Sequence, residues 1–148
     1  MKTRLALAAL LTGVLLAPPA AAEPPAVFVS QLYGDYKDMD HWAKNFDPCK
    51  ENCEADYTKL IKAARLKQLI DYDPICQCQH GGESYMMFSG SAGATADDYR
   101  VTMKKVGNPG TWVLLLRWIE GGWKVRDVLE TRNGKPVSVR QRLASAGG

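Results

Sequence analysis

The chain has 148 residues with 19 basic and 16 acidic side chains, a length that suits one compact domain with a hydrophobic core. Removing the first 22 residues, which include Lys2 and Arg4, would leave 17 basic and 16 acidic residues. A nearly neutral domain of this kind gives no support for nucleic-acid binding.

The N-terminal segment has the pattern of a secretory signal peptide. Lys2 and Arg4 precede an apolar stretch, Leu5–Ala17, and Ala20–Ala22 supplies small residues for cleavage. The apolar stretch is shorter than the roughly 20 residues that span a bilayer. The sequence therefore predicts a signal peptide over residues 1–22, periplasmic location in a Gram-negative bacterium or secretion, and no stable membrane insertion after cleavage. The mature chain, residues 23–148, would be a single domain.

The first half of the mature chain has helical spacing and the second half has strand spacing. Apolar residues predict one helix from Ala26 and a second over Glu54–Ile70, which ends before Pro74. After Gly82 the apolar residues alternate with polar ones. This alternation predicts four strands, at Glu83–Ser89, Tyr99–Val106, Thr111–Glu120 and Trp123–Glu130, the last two joined by a Gly-Gly turn. A short element over Ser138–Leu143 closes the chain.

Helices followed by antiparallel strands favour an α+β fold, with N-terminal helices packed on a curved antiparallel sheet. Four stretches, FVSQLYGDY, YDPIC, RWIEGGWKVRDV and SVRQRLA, resemble in their order and spacing the bacterial family called domain of unknown function 3828. The resemblance spans about residues 27–143. It implies the cone-shaped nuclear-transport-factor-2-like fold, an exported bacterial protein and a pocket between helices and sheet. It brings no known reaction, and the cysteines of this chain are not part of the family pattern.

Four cysteines form a C-x3-C pair and a C-x-C pair: Cys49, Cys53, Cys76 and Cys78. An even number of cysteines in a small exported domain predicts disulfides. A C-x-C bridge would close a small strained ring, so the two of the three possible connectivities that cross-link the two pairs are favoured. Each cross-link would then close a loop of about 25 residues and stabilise the fold by roughly 3 kcal/mol.

The alternative interpretation of the second cysteine pair is a Cu(I) site, because thiolate and thioether sulfurs suit that ion. The candidate ligands are Cys76, Cys78, His80, Met86 and Met87. Without copper, the two methionines would point to opposite faces of a sheet, with one sulfur in the core. The favoured interpretation requires no cofactor.

Asp127 is the acid that the alternation pattern places among apolar residues. It would share a strand face with Val125 and Leu129, and a pocket on that face would raise its pKa and suit it to act as a general base. Two structural alternatives remain: a β-bulge turns Asp127 outward, or its carboxylate pairs with Arg140 or Arg142. No second acid–base group is identifiable.

The favoured function is an exported, non-catalytic domain that binds a small molecule or a protein partner. Five aromatic residues could line its pocket, although the core is favoured for most of them: Tyr33, Tyr36, Trp112, Trp118 and Trp123. Three other functions stay open: a small acid–base enzyme using a pocket carboxylate, a copper-binding periplasmic protein, and an immunity-type envelope protein. The last would use the segment Arg117–Arg142, whose seven bases against three acids would meet an acidic partner.

Overall fold

A computed structural model describes residues 22–37, 47–79 and 84–147 of the chain. Within these ranges three helices precede an antiparallel sheet, and a further helix follows it. The elements are α1 Pro25–Lys37, α2 Cys49–Asn52, α3 Ala55–Leu66, β1 Tyr85–Ala92, β2 Asp98–Lys105, β3 Thr111–Ile119, β4 Gly122–Arg132, β5 Lys135–Ser138 and α4 Val139–Ala146. The predicted signal peptide, up to residue 21, and His80 lie outside the described residues.

The sheet is a curved, open meander in which each strand pairs antiparallel with the next along the chain, in the order β1-β2-β3-β4-β5. The predicted α+β class is therefore confirmed. Alternating side chains of the strands point to the helices, as in the cross-strand pairs Val101–Leu114 and Met103–Trp112. The more specific likeness to a nuclear-transport-factor-2-like cone stays a prediction.

One hydrophobic core joins the helices to the inner face of the sheet. The core residues of α1 lie one turn apart, and those of α3 likewise, so each helix buries a single stripe. They are Phe28, Val29, Leu32, Tyr33 and Tyr36 in α1, and Tyr57, Ile61 and Ala64 in α3. The two buried faces place α1 and α3 on the same side of the sheet.

Strand β4 contains a β-bulge that decides which of its side chains face the core. Leu115 pairs with Asp127, whereas its neighbour Leu116 pairs with Val125, so Arg126 is an extra residue in β4. Before the bulge Val125 is buried in the core, and after it the alternation resumes one residue later. The prediction that Asp127 shares a face with Val125 is therefore wrong, and the alternative, in which a β-bulge turns Asp127 away from that face, is confirmed.

The structure joins Cys49 to Cys53 and Cys76 to Cys78, so the predicted cross-pairing is wrong. The first bridge spans one turn at α2, where the Cα atoms are 4.7 Å apart. In the second, Gln77 between the cysteines has a left-handed φ of 53°, and the two Cα atoms are 5.2 Å apart. This left-handed residue reverses the chain within a very short ring, which is how a C-x-C bridge becomes feasible.

We expect a tryptic digest of the unreduced exported protein to separate the two bridges. Cleavage after Lys50 would give peptide 45–50 linked to peptide 51–59, while peptide 68–100 would carry an internal bridge and lack two hydrogens. Cross-pairing would instead join all three peptides into one species. Mass spectrometry before and after reduction distinguishes the two patterns.

Because both rings are short, each bridge should stabilise the fold less than a long cross-link would. We expect the paired substitution Cys76→Ala/Cys78→Ala to lower the free energy of unfolding by about 2 kcal/mol. The pair Cys49→Ala/Cys53→Ala is the matched comparison and should cost about the same. Urea denaturation followed by circular dichroism measures both, and a loss of 4 kcal/mol or more, roughly twice the expectation, would contradict the short-ring argument.

Candidate functional site

An open groove of about 800 Å³ lies between the segment that follows α3 and one end of the sheet. Its walls are residues 71–79 on one side and the β2–β3 turn, Asn108–Gly110, on the other. The end of β4 supplies its floor. The lining residues are Asp71, Tyr72, Gln77, Cys78, Gln79, Lys105, Asn108, Pro109, Gly110, Thr111, Trp112, Glu130, Thr131 and Arg132. This volume is in the range of sites that hold small molecules.

Glu130 is a buried carboxylate in the floor of the groove, and donors surround it on all sides. Its Oε1 accepts hydrogen bonds from the Tyr72 hydroxyl and from Gln77 Nε2, the latter at 3.2 Å. Its Oε2 lies 3.1 Å from Arg132 Nε and 3.5 Å from Arg142 Nη2. Glu130 therefore positions four side chains, and its oxygens are already occupied.

Tyr72 connects Glu130 to α4. Its hydroxyl donates to Glu130 and accepts a hydrogen bond of 2.6 Å from Arg142 Nη2. Burial, followed by the hydrogen bond and the charge of Glu130, raises the pKa of Tyr72 to about 12. Tyr72 is consequently a neutral donor at neutral pH, and the Tyr72–Glu130–Arg142 cluster joins the groove wall, β4 and α4.

Asp73 shapes the groove wall formed by residues 71–79. Its carboxylate accepts from the backbone N–H of Ile75 at 2.8 Å and from Arg65 Nη2 at 3.2 Å. Its backbone N–H donates to the Cys78 carbonyl at 2.8 Å, which closes the turn that contains the Cys76–Cys78 bridge. Burial raises the pKa of Asp73, and the charge of Arg65 offsets only part of that rise.

Trp112 in β3 connects the groove wall, residues 71–79, to the sheet. Its indole Nε1 donates to the Ile75 carbonyl at 2.9 Å and lies 3.2 Å from the Tyr33 hydroxyl, which also donates to that carbonyl. Residues 71–79 are thus held from both α1 and β3. These hydrogen bonds hold the groove wall in place, although its backbone forms neither helix nor strand.

The five predicted pocket aromatics lie mainly in the core. Tyr33, Tyr36, Trp112 and Trp123 are buried, and Trp118 is half-buried against Trp123, with ring centroids 5.3 Å apart. Trp112 also lines the groove. Tyr33 also lines a smaller cavity of about 380 Å³ beside α1.

Asp127, the predicted catalytic candidate, holds the start of α4. Its Oδ1 accepts from the backbone N–H groups of Arg140 at 2.9 Å and Val128 at 2.7 Å. Its Oδ2 accepts from the hydroxyl of Ser138, the residue that caps α4 through Gln141 N–H. Asp127 also lines a cavity of about 560 Å³ away from the groove, but three donors already occupy its oxygens.

We expect Asp127→Ala to lower the free energy of unfolding by about 1–3 kcal/mol, because the N–H groups of Val128 in β4 and Arg140 at the α4 start would lose their acceptor. Asp127→Asn should cost less, since an amide oxygen still accepts from a backbone donor. Asp97→Ala, the same change at an exposed aspartate, should stay within about 0.5 kcal/mol of the parent. Urea denaturation measures all three, and an unchanged Asp127→Ala midpoint would contradict the capping role.

The basic C-terminal segment is extensively paired with acids. Arg117 and Arg126 lie 3.0 and 3.1 Å from Asp98, and Arg140 lies 2.7 Å from Glu54. The hydrogen bond from Arg117 lowers the pKa of Asp98. This pairing reduces the excess positive charge that an acidic partner would meet.

The copper interpretation loses two of its proposed ligands. Cys76 and Cys78 are bonded to each other, so neither offers a thiolate, and His80 lies outside the described residues. Met86 and Met87 are 50% and 42% exposed, so the prediction that one sulfur enters the core is wrong. The bulge next to Met87 and the position of β1 at the sheet edge explain this exposure. In the described ranges no three His, Cys, Asp or Glu residues form a group that could hold a metal ion.

Sequence reasoning missed Glu130 and Tyr72, the centre of the groove floor. Glu130 ends a predicted strand, and the alternation pattern placed it on the face opposite Asp127. The alternation put Glu130 and Asp127 on opposite faces of the strand. It could not show which of these two side chains faces the core, because the β-bulge at Arg126 reverses the faces of all later residues. A glutamate inside an apolar strand, with arginines downstream, was the available signal for a buried ion cluster.

Within the described part of the chain, no helix has the length and apolar character that crossing a bilayer requires. Comparison of the chain with protein-family models, with curated proteins and with solved structures found no match. The resemblance to the domain of unknown function 3828 family therefore stays a prediction.

Proposed function

We propose that the protein is an exported, non-catalytic binding domain that holds a small molecule in the groove beside Tyr72 and Glu130. The observation that carries the proposal is the groove itself, about 800 Å³ in volume, with a buried ion cluster in its floor. Such a cavity with a few fixed polar groups is the usual form of a small-molecule site. The two disulfides fit export, since such bonds persist in oxidising compartments.

The groove favours binding over acid–base catalysis. A general base needs a carboxylate oxygen or a nitrogen that is open to substrate. Glu130 has donors on both oxygens, and Asp127 is engaged at α4. The enzyme alternative would need an acid–base group other than these two carboxylates. The immunity-type alternative would need a basic surface with fewer paired arginines than the Arg117–Asp98–Arg126 cluster provides.

A fragment screen by NMR tests the proposed site. The exported protein, labelled with ¹⁵N, would be mixed with a library of neutral and charged fragments, and amide shifts would locate the binders. We expect the binders to shift groove residues such as Thr111 and Thr131, and to leave the amides around Asp127 unchanged. A blocking variant, Thr131→Trp, should abolish these shifts, because Thr131 is exposed at the groove.

Ser91→Trp is the matched control, since it places the same indole at an exposed strand position of β1 outside the groove. It should bind fragments as the parent does. A library without a single groove binder would contradict the proposed function, and so would binders that Thr131→Trp does not displace.

A further inference from the structure

We infer that the ligand of this groove carries a carboxylate group, which the guanidinium of Arg132 binds. The inference rests on the proposed function and names the chemical class of its ligand. Three observations support it: the exposure of Arg132 in the groove, the net charge of the cluster that Arg132 forms with Glu130 and Arg142, and the polar character of the remaining lining.

Arg132 is anchored in the groove by the buried carboxylate of Glu130. Its Nε lies 3.1 Å from Glu130 Oε2, at the end of β4. Glu130 is buried, whereas half of the Arg132 side chain is exposed. The Nε contact occupies one of the five guanidinium N–H donors, and Arg132 lines the open groove, where a carboxylate can accept hydrogen bonds from the guanidinium.

The Glu130 cluster in the groove floor carries a net positive charge. Glu130 contacts two arginines, Arg132 and Arg142, so these three described side chains sum to +1. Lys105, whose Nζ donates to the Gln77 carbonyl at 3.5 Å, and Asp71, which accepts from Gln79 Nε2 at 3.2 Å, add one charge of each sign to the lining. The hydrogen bond that Arg132 donates to Glu130 also raises the pKa of Arg132, so the guanidinium keeps its charge.

The rest of the lining suits a ligand with hydroxyl or amide groups. Thr111, Thr131 and Asn108 are polar, and Trp112 is too buried to offer its ring face for stacking. Two sources of a carboxylate fit this lining: an acidic sugar, and a short peptide with a free C-terminus. The shared chemistry is a carboxylate beside neutral hydrogen-bonding groups.

Two matched probe pairs test the inference and separate the sources. The first pair is glucuronate with glucose, and the second is N-acetyl-Ala-Ala with its C-terminal amide. Each would be titrated into the ¹⁵N-labelled exported protein, with the amides of Thr111 and Thr131 as reporters. We expect the anionic member of at least one pair to bind about 10-fold or more tightly than its neutral partner, because a charge-assisted bidentate contact is lost in the latter.

Variants connect the preference to Arg132. Arg132→Gln should remove the difference between anionic and neutral probes, and Arg132→Lys, which keeps the charge without the fork, should retain part of it. Arg100→Gln, at an exposed position of β2 outside the groove, should leave the preference unchanged. Thermal unfolding of each variant shows whether it folds. If Arg132→Gln does not fold, the probe preference of Arg132→Lys provides the test.

Equal binding of the two members of both pairs would overturn the inference, as would a preference that survives Arg132→Gln. Failure of all four probes to shift the groove amides would also overturn it. In that last case the proposed function still stands if neutral fragments from the library bind in the groove. If no fragment of any charge binds there, the proposed function fails as well, so the two failures are distinguishable.

Discussion

Glu130→Ala is expected to lower the free energy of unfolding by about 3 kcal/mol, the lower end for breaking a buried ion pair. The substitution removes the acceptor of Tyr72, Gln77 and both arginines at once. Arg132 and Arg142 would then repel each other across the vacated position. The loss stays at the lower end because both arginine side chains are partly exposed and keep some hydration.

Urea denaturation of the exported protein at neutral pH measures this loss. Glu51→Ala is the matched control, because the Glu51 side chain is exposed on α2, and it should change stability by no more than about 0.5 kcal/mol. A double-mutant cycle with Tyr72→Phe then isolates one contact, and we expect a coupling of about 1 kcal/mol or more between Tyr72 and Glu130. Additive effects of the two substitutions, or a Glu130→Ala midpoint equal to that of the control, would contradict the role given to the cluster.

The periodic parts of the fold could be predicted from the sequence, because periodicity is a local property. The helical stripe of α3 and the alternation of β2 and β3 each specify their element without knowledge of the rest of the chain. The bulge at Arg126 could not be predicted in the same way. It adds one residue to β4, and with a period of two that single residue moves every later side chain to the opposite face.

The disulfide connectivity was mispredicted for a related reason. Cross-pairing was favoured because a C-x-C bridge closes a small strained ring. The left-handed φ of Gln77 changes that geometry, and glutamine gives little sign of it because this region is rare for residues other than glycine. The contacts that hold the segment in this conformation, including Asp73 with Cys78 and Trp112 with Ile75, form in the folded protein and are not visible in the sequence.

The candidate site is non-local in the sequence. Tyr72 is 58 residues from Glu130 and 70 residues from Arg142, so no short motif contains the cluster. Its parts were visible separately: Tyr72 begins the YDPIC stretch, and Glu130 closes a strand. Only the pairing of β4 with its neighbours and the docking of α4 bring them together.

Asp73→Ala is expected to lower the free energy of unfolding at neutral pH by about 3 kcal/mol, because it leaves Arg65 and buried N–H groups of the 71–79 wall without their acceptor. Asp73→Asn should cost less, since its amide oxygen can still accept from Ile75 N–H. Asp71→Ala is the matched control at an exposed neighbouring aspartate, whose carboxylate accepts a hydrogen bond from the exposed Gln79. It should stay within about 0.5 kcal/mol of the parent.

The pH dependence of the asparagine variant tests the environment of Asp73 directly. Burial raises the pKa of Asp73 in the folded protein above its unfolded value of about 3.9, so the folded state binds the proton more tightly. Protonated Asp73 therefore stabilises the folded parent protein fully at pH values below the unfolded pKa. This stabilisation is lost as pH rises through the folded pKa. Asparagine does not titrate, and the other acids are common to both proteins. The stability of the parent minus that of Asp73→Asn should thus be larger at about pH 4 than at pH 7, as measured by urea denaturation at steps between them. A difference that grows with pH would mean that Arg65 outweighs burial and that the pKa of Asp73 is lowered.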